Sequence, residues 1–263
     1  MYMLAFNDFG TGPAVLLLHG FPLDHTIWEH QVDRLSANYR VVVPDLPGMG
    51  NSPPLPSAIV PSISLLAEQV LSLMDARKIG EAAVVGHSMG GYIALAMYHL
   101  APERVTGLAF VCSQALPDTP EARHNRYELI RAVQEQGPAA AAEAMLPKLF
   151  APSVPADSPL RQQVDTIIRR TPAQGIKAAL LAMARRPDMT PYLYEVDVPT
   201  LVLIGDQDRA TPPERSLAIK EALPHARVVQ VPGAGHMPML EAPDAVSDAL
   251  EQWLAEVYGT ISR

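Results

Sequence analysis

The chain has 263 residues, 48% hydrophobic and 18% charged, an ordinary globular composition at a length that allows one or two domains. Its 28 Asp and Glu outweigh 20 Lys and Arg for a net charge of −8, which excludes a general nucleic-acid or anionic-membrane binder, since both need a basic surface. One cysteine, Cys112, admits no internal disulfide, and with eight scattered histidines it gives no zinc-ligand spacing, so no metal and no cofactor is expected.

From the start, Met1–Asp8 lacks the basic residues and long apolar stretch of a signal peptide. No apolar run approaches the ~18 residues of a membrane span. A soluble protein of the reducing cytoplasm is the expectation. Leu4–Phe9 can add one edge strand. Short apolar runs then recur at Ala14–Leu18, Val41–Val43, Ala82–Val85, Leu108–Val111, Leu201–Ile204 and Val228–Val231. They do not alternate polar with apolar, the pattern of strands buried on both faces of a parallel sheet. Helical stretches separate them, at about Ile27–Ser36, Ile63–Arg77, Met89–Leu100, Pro213–Ala222 and Ala242–Tyr258. Strand-helix alternation of this kind predicts an α/β fold with a doubly wound, mostly parallel sheet. The alternation breaks between Gln114 and Leu193. Four helical candidates stand there, Glu121–Gln136, Ala139–Phe150, Pro159–Arg170 and Pro172–Arg185, with no strand between them. The division expected is a core of residues 1–113 and 194–263 carrying a helical cap, 114–193.

The strongest chemical signal is Gly86-His87-Ser88-Met89-Gly90-Gly91, which leaves the strand Ala82–Val85 and opens a helix. A Ser on that sharp turn projects its hydroxyl from the top of the sheet, although a glycine-rich turn whose Ser only caps the helix reads the same way. A Ser hydroxyl needs a base to take its proton, and the base needs an orienting acid. Leu201–Ile204 runs into Gly205-Asp206-Gln207-Asp208, and Val228–Val231 runs into Pro232-Gly233-Ala234-Gly235-His236. Carboxylates and an imidazole therefore follow successive strand ends, downstream of the Ser. A fourth strand ends in His19-Gly20-Phe21-Pro22, where the Phe21 backbone N–H, with that of Met89, can form an oxyanion hole. His19 is expected to brace this loop.

These pieces, with Asp45–Ser52 and Gly233–Glu241, resemble the α/β-hydrolase superfamily over essentially the whole chain. The branch most similar holds small bacterial carboxylesterases, 3-oxoadipate enol-lactonases and cofactor-free haloperoxidases. The resemblance implies a four-helix cap between the sixth and seventh strands, with the usual N-terminal antiparallel hairpin truncated here. It implies Ser88 as nucleophile, His236 as base and Asp208, three residues after Gly205, as acid. Asp45–Ser52 is expected to be structural.

The function expected is hydrolysis of carboxylic esters with short acyl groups through an acyl-enzyme, with the bulky Leu23 and Met237 touching substrate. Two alternatives remain: a lactonase, and a low-turnover small-molecule receptor that signals to a partner protein. Residues 114–190 hold ten Arg and Lys against eight Asp and Glu, in a chain otherwise strongly acidic. Arg123, Arg126 or Arg131 could therefore hold a substrate carboxylate, as an enol-lactone would require. Oligomeric state is not legible.

Overall fold

The apolar runs become strands because each can bury both faces, and the computed structural model describes residues 3–259 in these terms. Seven strands form one sheet: β1 (Phe6–Phe9), β2 (Ala14–Leu18), β3 (Arg40–Pro44), β4 (Ala82–His87), β5 (Val105–Val111), β6 (Thr200–Gly205) and β7 (Arg227–Val231). Their order is β1-β3-β2-β4-β5-β6-β7, with β1 antiparallel to β3 and every other pair parallel. The central strands β4 and β6 are buried along their whole length, whereas β7, at the edge, is half-exposed until Val231. The stretch Val228–Val231 is interrupted by the exposed Gln230, and it does not mark a strand covered on both faces.

Between the strands lie α1 (Glu29–Leu35), α2 (Ile63–Ala76), α3 (Met89–Leu100), α4 (Pro120–Gln136), α5 (Ala139–Leu149), α6 (Pro159–Arg170), α7 (Ala173–Ala184), α8 (Thr190–Leu193), α9 (Pro213–Ala222), α10 (Pro238–Glu241) and α11 (Pro243–Tyr258). The expected helix Ile27–Ser36 is split into a 3-10 turn at His25–Trp28 and α1, because Asp24 caps the turn through Thr26 N–H. Helix α2 packs on α3 and α1 on α11. Helix α11 is anchored by Tyr258, whose hydroxyl donates to Ala14 O (2.7 Å) and accepts from Ala83 N–H (2.7 Å), tying it to β2 and β4.

The helices α4–α7 follow one another without a strand, as the sequence predicts, and α8 adds one turn. Their N-termini carry the local signals for it. Thr119 and Ser158 cap α4 and α6 through the N–H groups of Ala122 and Arg161, each followed by Pro at the first helical position. Counted along this chain, the insertion lies between the fifth and sixth strands, not the sixth and seventh. Among the described residues one antiparallel strand, β1, precedes β2, so the strands flanking the insertion are the fifth and sixth. The ends of the expected core unit, residues 1–2 and 260–263, lie outside the described residues.

Candidate active site

In a parallel sheet the loops at the C-terminal ends of the strands gather on one edge, and four of them meet here. Ser88 stands between β4 and α3 with φ +50° and ψ −114°, a left-handed conformation that a non-glycine residue adopts only under strain of about 1–3 kcal/mol. The turn is this tight because its glycines let backbone meet backbone. A Cβ on Gly86 would strike Gly90 O, and one on Gly90 would strike Leu18 O. Ser88 makes no capping bond to α3, so its hydroxyl is not spent on the helix.

His236 follows β7 and is 2% exposed, and its Nδ1 lies 2.8 Å from Asp208 Oδ2. Asp208 Oδ1 accepts the N–H groups of Ala210 and Thr211, both at 2.8 Å, which fixes the carboxylate after β6. A carboxylate accepting from Nδ1–H selects the tautomer whose free ring nitrogen is Nε2. Asp206 is engaged elsewhere, with its Oδ1 accepting Gly233 N–H at 2.7 Å on the surface. Cys112, just after β5, has its sulfur within 4.8 Å of an Asp208 carboxylate oxygen and a His236 ring nitrogen. Burial, and then the Asp208 charge, push its thiol well above the usual range, so it remains protonated.

Ser88, His236 and Phe21 line one cavity of about 320 Å³. The N–H groups of Phe21 and Met89 donate to no protein acceptor among the described residues, and Met89 begins α3, where the first N–H groups have no intrahelical partner. Helices α4, α5 and α7 supply the far wall, with Arg126 and Leu129, Met145 and Lys148, and Leu180 and Met183. Of the three candidate cap arginines, only Arg126 reaches the cavity. Arg131 pairs with Glu128 (2.7 Å) on the surface of α4. Arg123, on the same helix, is exposed.

Leu23 and Met237 do not line this cavity. Both are fully buried in the apolar core, where Leu23 N–H closes a turn on Gly20 O (3.0 Å) and Met237 N–H is held by Glu241 (3.1 Å). The turns that present Phe21 and His236 carry the side chains of Leu23, two residues on, and Met237, one residue on, into the core. His19 does brace its loop: Nε2 accepts Leu46 N–H (2.9 Å) and Nδ1–H donates to Gly20 O (2.9 Å), and burial holds the ring neutral. Asp45 organises the segment after β3, accepting from His25 N–H (3.0 Å), His25 Nδ1 (2.7 Å) and Asn51 N–H (2.8 Å).

Several supporting residues were given no role by the sequence. His87 Nε2–H donates to His236 O (2.8 Å), fixing the backbone of the residue that pairs with Asp208. Glu241 accepts three N–H groups, from Gly235 (3.0 Å), Met237 (3.1 Å) and Ala151 (2.9 Å). His236 N–H itself donates to Leu149 O (3.0 Å), at the end of α5. Next to Asp208, Arg209 Nη2 donates to Pro147 O (2.6 Å). The loops bearing the acid and the imidazole are therefore both fastened to the segment 147–151.

The family model for the alpha/beta hydrolase fold matches residues 13–243. A thermophilic esterase from Thermogutta terrifontis, solved with malate bound, is 39% identical, with a TM-score of 0.93 over 97% of this chain and 94% of that one. An enol-lactonase from Burkholderia xenovorans LB400 is 28% identical, with a TM-score of 0.89 over 96% of each chain. The dihydrolipoyllysine-residue acetyltransferase component of the acetoin cleaving system of Pseudomonas putida is 32% identical over 92% of this chain, which spans 64% of that relative's length. With its mostly parallel sheet and the strained Ser turn after β4, the chain belongs to the α/β-hydrolase fold family.

Proposed function

We propose that the protein is a serine hydrolase of carboxylic esters, with Ser88 as nucleophile, His236 as general base and Asp208 as its orienting acid. The observation that carries the reading is the buried His236–Asp208 pair opening onto the cavity that also presents the strained Ser88. His236 Nε2 takes the Ser88 proton as Oγ attacks the ester carbonyl, and the developing oxyanion is received by the Phe21 and Met89 N–H groups. Collapse breaks the bond to the alkoxide, which leaves with the proton from Nε2. A water then attacks the acyl-enzyme, giving its proton to His236, and the acid departs as Ser88 Oγ is reprotonated. Asp208 stabilises the imidazolium in both halves without taking the proton itself.

Residues 114–193 act in this reading as the cap that closes the cavity, through the faces of α4, α5 and α7. A volume of about 320 Å³ stands at the small end of ligand cavities, roughly 300–1,000 Å³, and so favours short acyl groups. Opening a lactone ring uses the same attack, and similarity to an enol-lactonase supports including that substrate class in the test. A cytoplasmic setting fits the single, buried cysteine.

The deciding experiment is a hydrolysis panel of acetate, butyrate and octanoate esters with simple lactones, run beside a Ser88→Ala variant. The short esters are expected to turn over, the octanoate poorly, and the variant to lose all measurable activity. A serine-directed phosphonate should label Ser88 at one equivalent. Full activity in Ser88→Ala, or labelling elsewhere, refutes the assignment.

A further inference from the structure

The chain carries a net charge of −8, yet the cavity beside Ser88 is lined by Arg126 and Lys148 and by no Asp or Glu among the described residues. Two further cations stand directly behind its wall. Arg186 lies 3.9 Å above the ring of Tyr92, and Arg215 donates to Gln114 Oε1 (3.2 Å), where Tyr92 and Gln114 are both lining residues. One carboxylate, Asp118, answers two of the four, taking Arg126 through Nε and Nη2 and Arg186 through Nη2 (3.4 Å). Neither Lys148 nor Arg215 has an ion-pair partner among the described residues. Burial alone would raise the Asp118 carboxyl, but the Arg126 hydrogen bond and the charges of Arg126 and Arg186 hold it low, so it is an anion already committed.

The arginines are also short of acceptors. Arg186 is fully buried, with no partner for Nε or Nη1 among the described residues. Arg126 Nη1 meets only the Met183 thioether (3.3 Å), a weak acceptor that itself lines the cavity. An uncompensated cation in a partly desolvated wall is costly, and a ligand that brings a carboxylate removes that cost. We infer that the cap side of this cavity is a carboxylate subsite, and that the preferred substrates are small esters bearing a second, ionised carboxyl group, held by Arg126 and Lys148 while Ser88 attacks the ester carbonyl. The inference rests on the Ser88 reading and narrows its substrate class.

Two matched pairs test it. Monomethyl glutarate against methyl pentanoate places the charge on the acyl side, and acetoxyacetate against propyl acetate places it on the alcohol side. In one pair at least, kcat/KM for the anion should exceed that of its neutral match by roughly tenfold or more, because a site with unanswered donors penalises the analogue lacking their acceptor. The advantage should shrink in about 0.5 M NaCl, as screening requires. Arg126→Gln should bring the ratio towards one. Lys148→Gln, on an exposed side chain, should lower it as well and serves if the first variant is poorly folded. Hydrolysis of the neutral esters with no anion preference in either pair overturns the subsite and leaves the nucleophile assignment standing. Failure to hydrolyse any ester overturns the nucleophile assignment instead. Calorimetric titration of the Ser88→Ala protein with monomethyl glutarate and methyl pentanoate, which needs no turnover, then still decides the subsite: tighter binding of the anion than of its neutral match supports it, and equal binding refutes it.

Discussion

Ser88 and Cys112 share an unusual backbone, φ +50° and +49°, and they flank the same spot: Ser88 lines the cavity while Cys112 backs the Asp208–His236 pair. Two of the three non-glycine residues with positive φ among the described residues thus lie at the site, Lys78 being the third, and strain beside a pocket fits a site held rigid by its surroundings. The two carboxylates after β6 make the sharper test, because they lie two residues apart with different partners. In Asp208→Asn the amide oxygen is held by Ala210 and Thr211 N–H, so an NH2 donor faces His236 Nδ1 and selects the wrong tautomer, and kcat should fall by about three to four orders of magnitude. Asp206→Asn keeps an amide oxygen for Gly233 N–H, and kcat should stay within about threefold. Steady-state kinetics on a butyrate ester measures both, and the reverse ranking would sink the acid assignment.

At the scale of elements, the end of α5 is fastened to the loops after β6 and β7, and Glu241 is the central tie. Charge-assisted hydrogen bonds of this kind contribute about 1.5–3 kcal/mol each when buried. Glu241→Gln leaves one oxygen and presents an amide donor to an N–H. Its stability to urea should drop by roughly 1–3 kcal/mol. If the tie also aims the imidazole, kcat should fall more than KM rises, and an unchanged kcat would show that other bonds suffice to aim it. Glu241 ends the Gly233–Glu241 piece, but no role for it was legible, because its partners lie as far away as Ala151 and become neighbours only when the end of α5 folds back. The same holds for Asp118 and Arg186, 68 residues apart. The strands were legible because burial on both faces writes an unbroken apolar run. Ser88, Asp208 and His236 stood out as candidates because each closely follows the end of a strand. Leu23 and Met237 show where this logic stops. An apolar residue beside a reactive one faces either cavity or core according to a single turn of backbone, and here both face the core. Strand β7 shows the matching limit: Gln230 breaks its valines with an exposed polar residue, the mark of an edge that a short run of Val conceals.

Across the whole molecule, buried histidines set the pH response of the fold. His19 and His87 have no exposed surface, and burial pushes both below the ordinary histidine range, His87 further because the His236 charge would oppose its own. His25 is raised, by its hydrogen bond to Asp45 and the Asp45 charge, against partial burial. For His19 and His87 the unfolded chain takes up a proton near pH ~6.5 while the native state does not, so stability falls as pH drops below that value. Each can contribute up to about 1.4 kcal/mol per pH unit until its own native ring protonates. For His25 the sign is opposite: its stabilisation is complete below about pH 6.5 and is lost as pH rises through its raised native value. Below about pH 4 the depressed carboxyls of Asp8, Asp45 and Asp118 add a further loss as they protonate. Stability should therefore peak close to neutrality and fall on acidification well before any carboxylate titrates. Urea unfolding between about pH 7.5 and 5 should show a decline that starts near pH 6.5 and steepens, up to roughly 2.7 kcal/mol per unit for the two rings together. Native-state NMR should find the His19 and His87 rings still neutral at about pH 6, where an unperturbed ring is mostly charged. A midpoint that stays level or rises from pH ~6.5 to ~5 would mean that these two rings accept protons in place, and that the braces under Leu46 and His236 are looser than the geometry indicates.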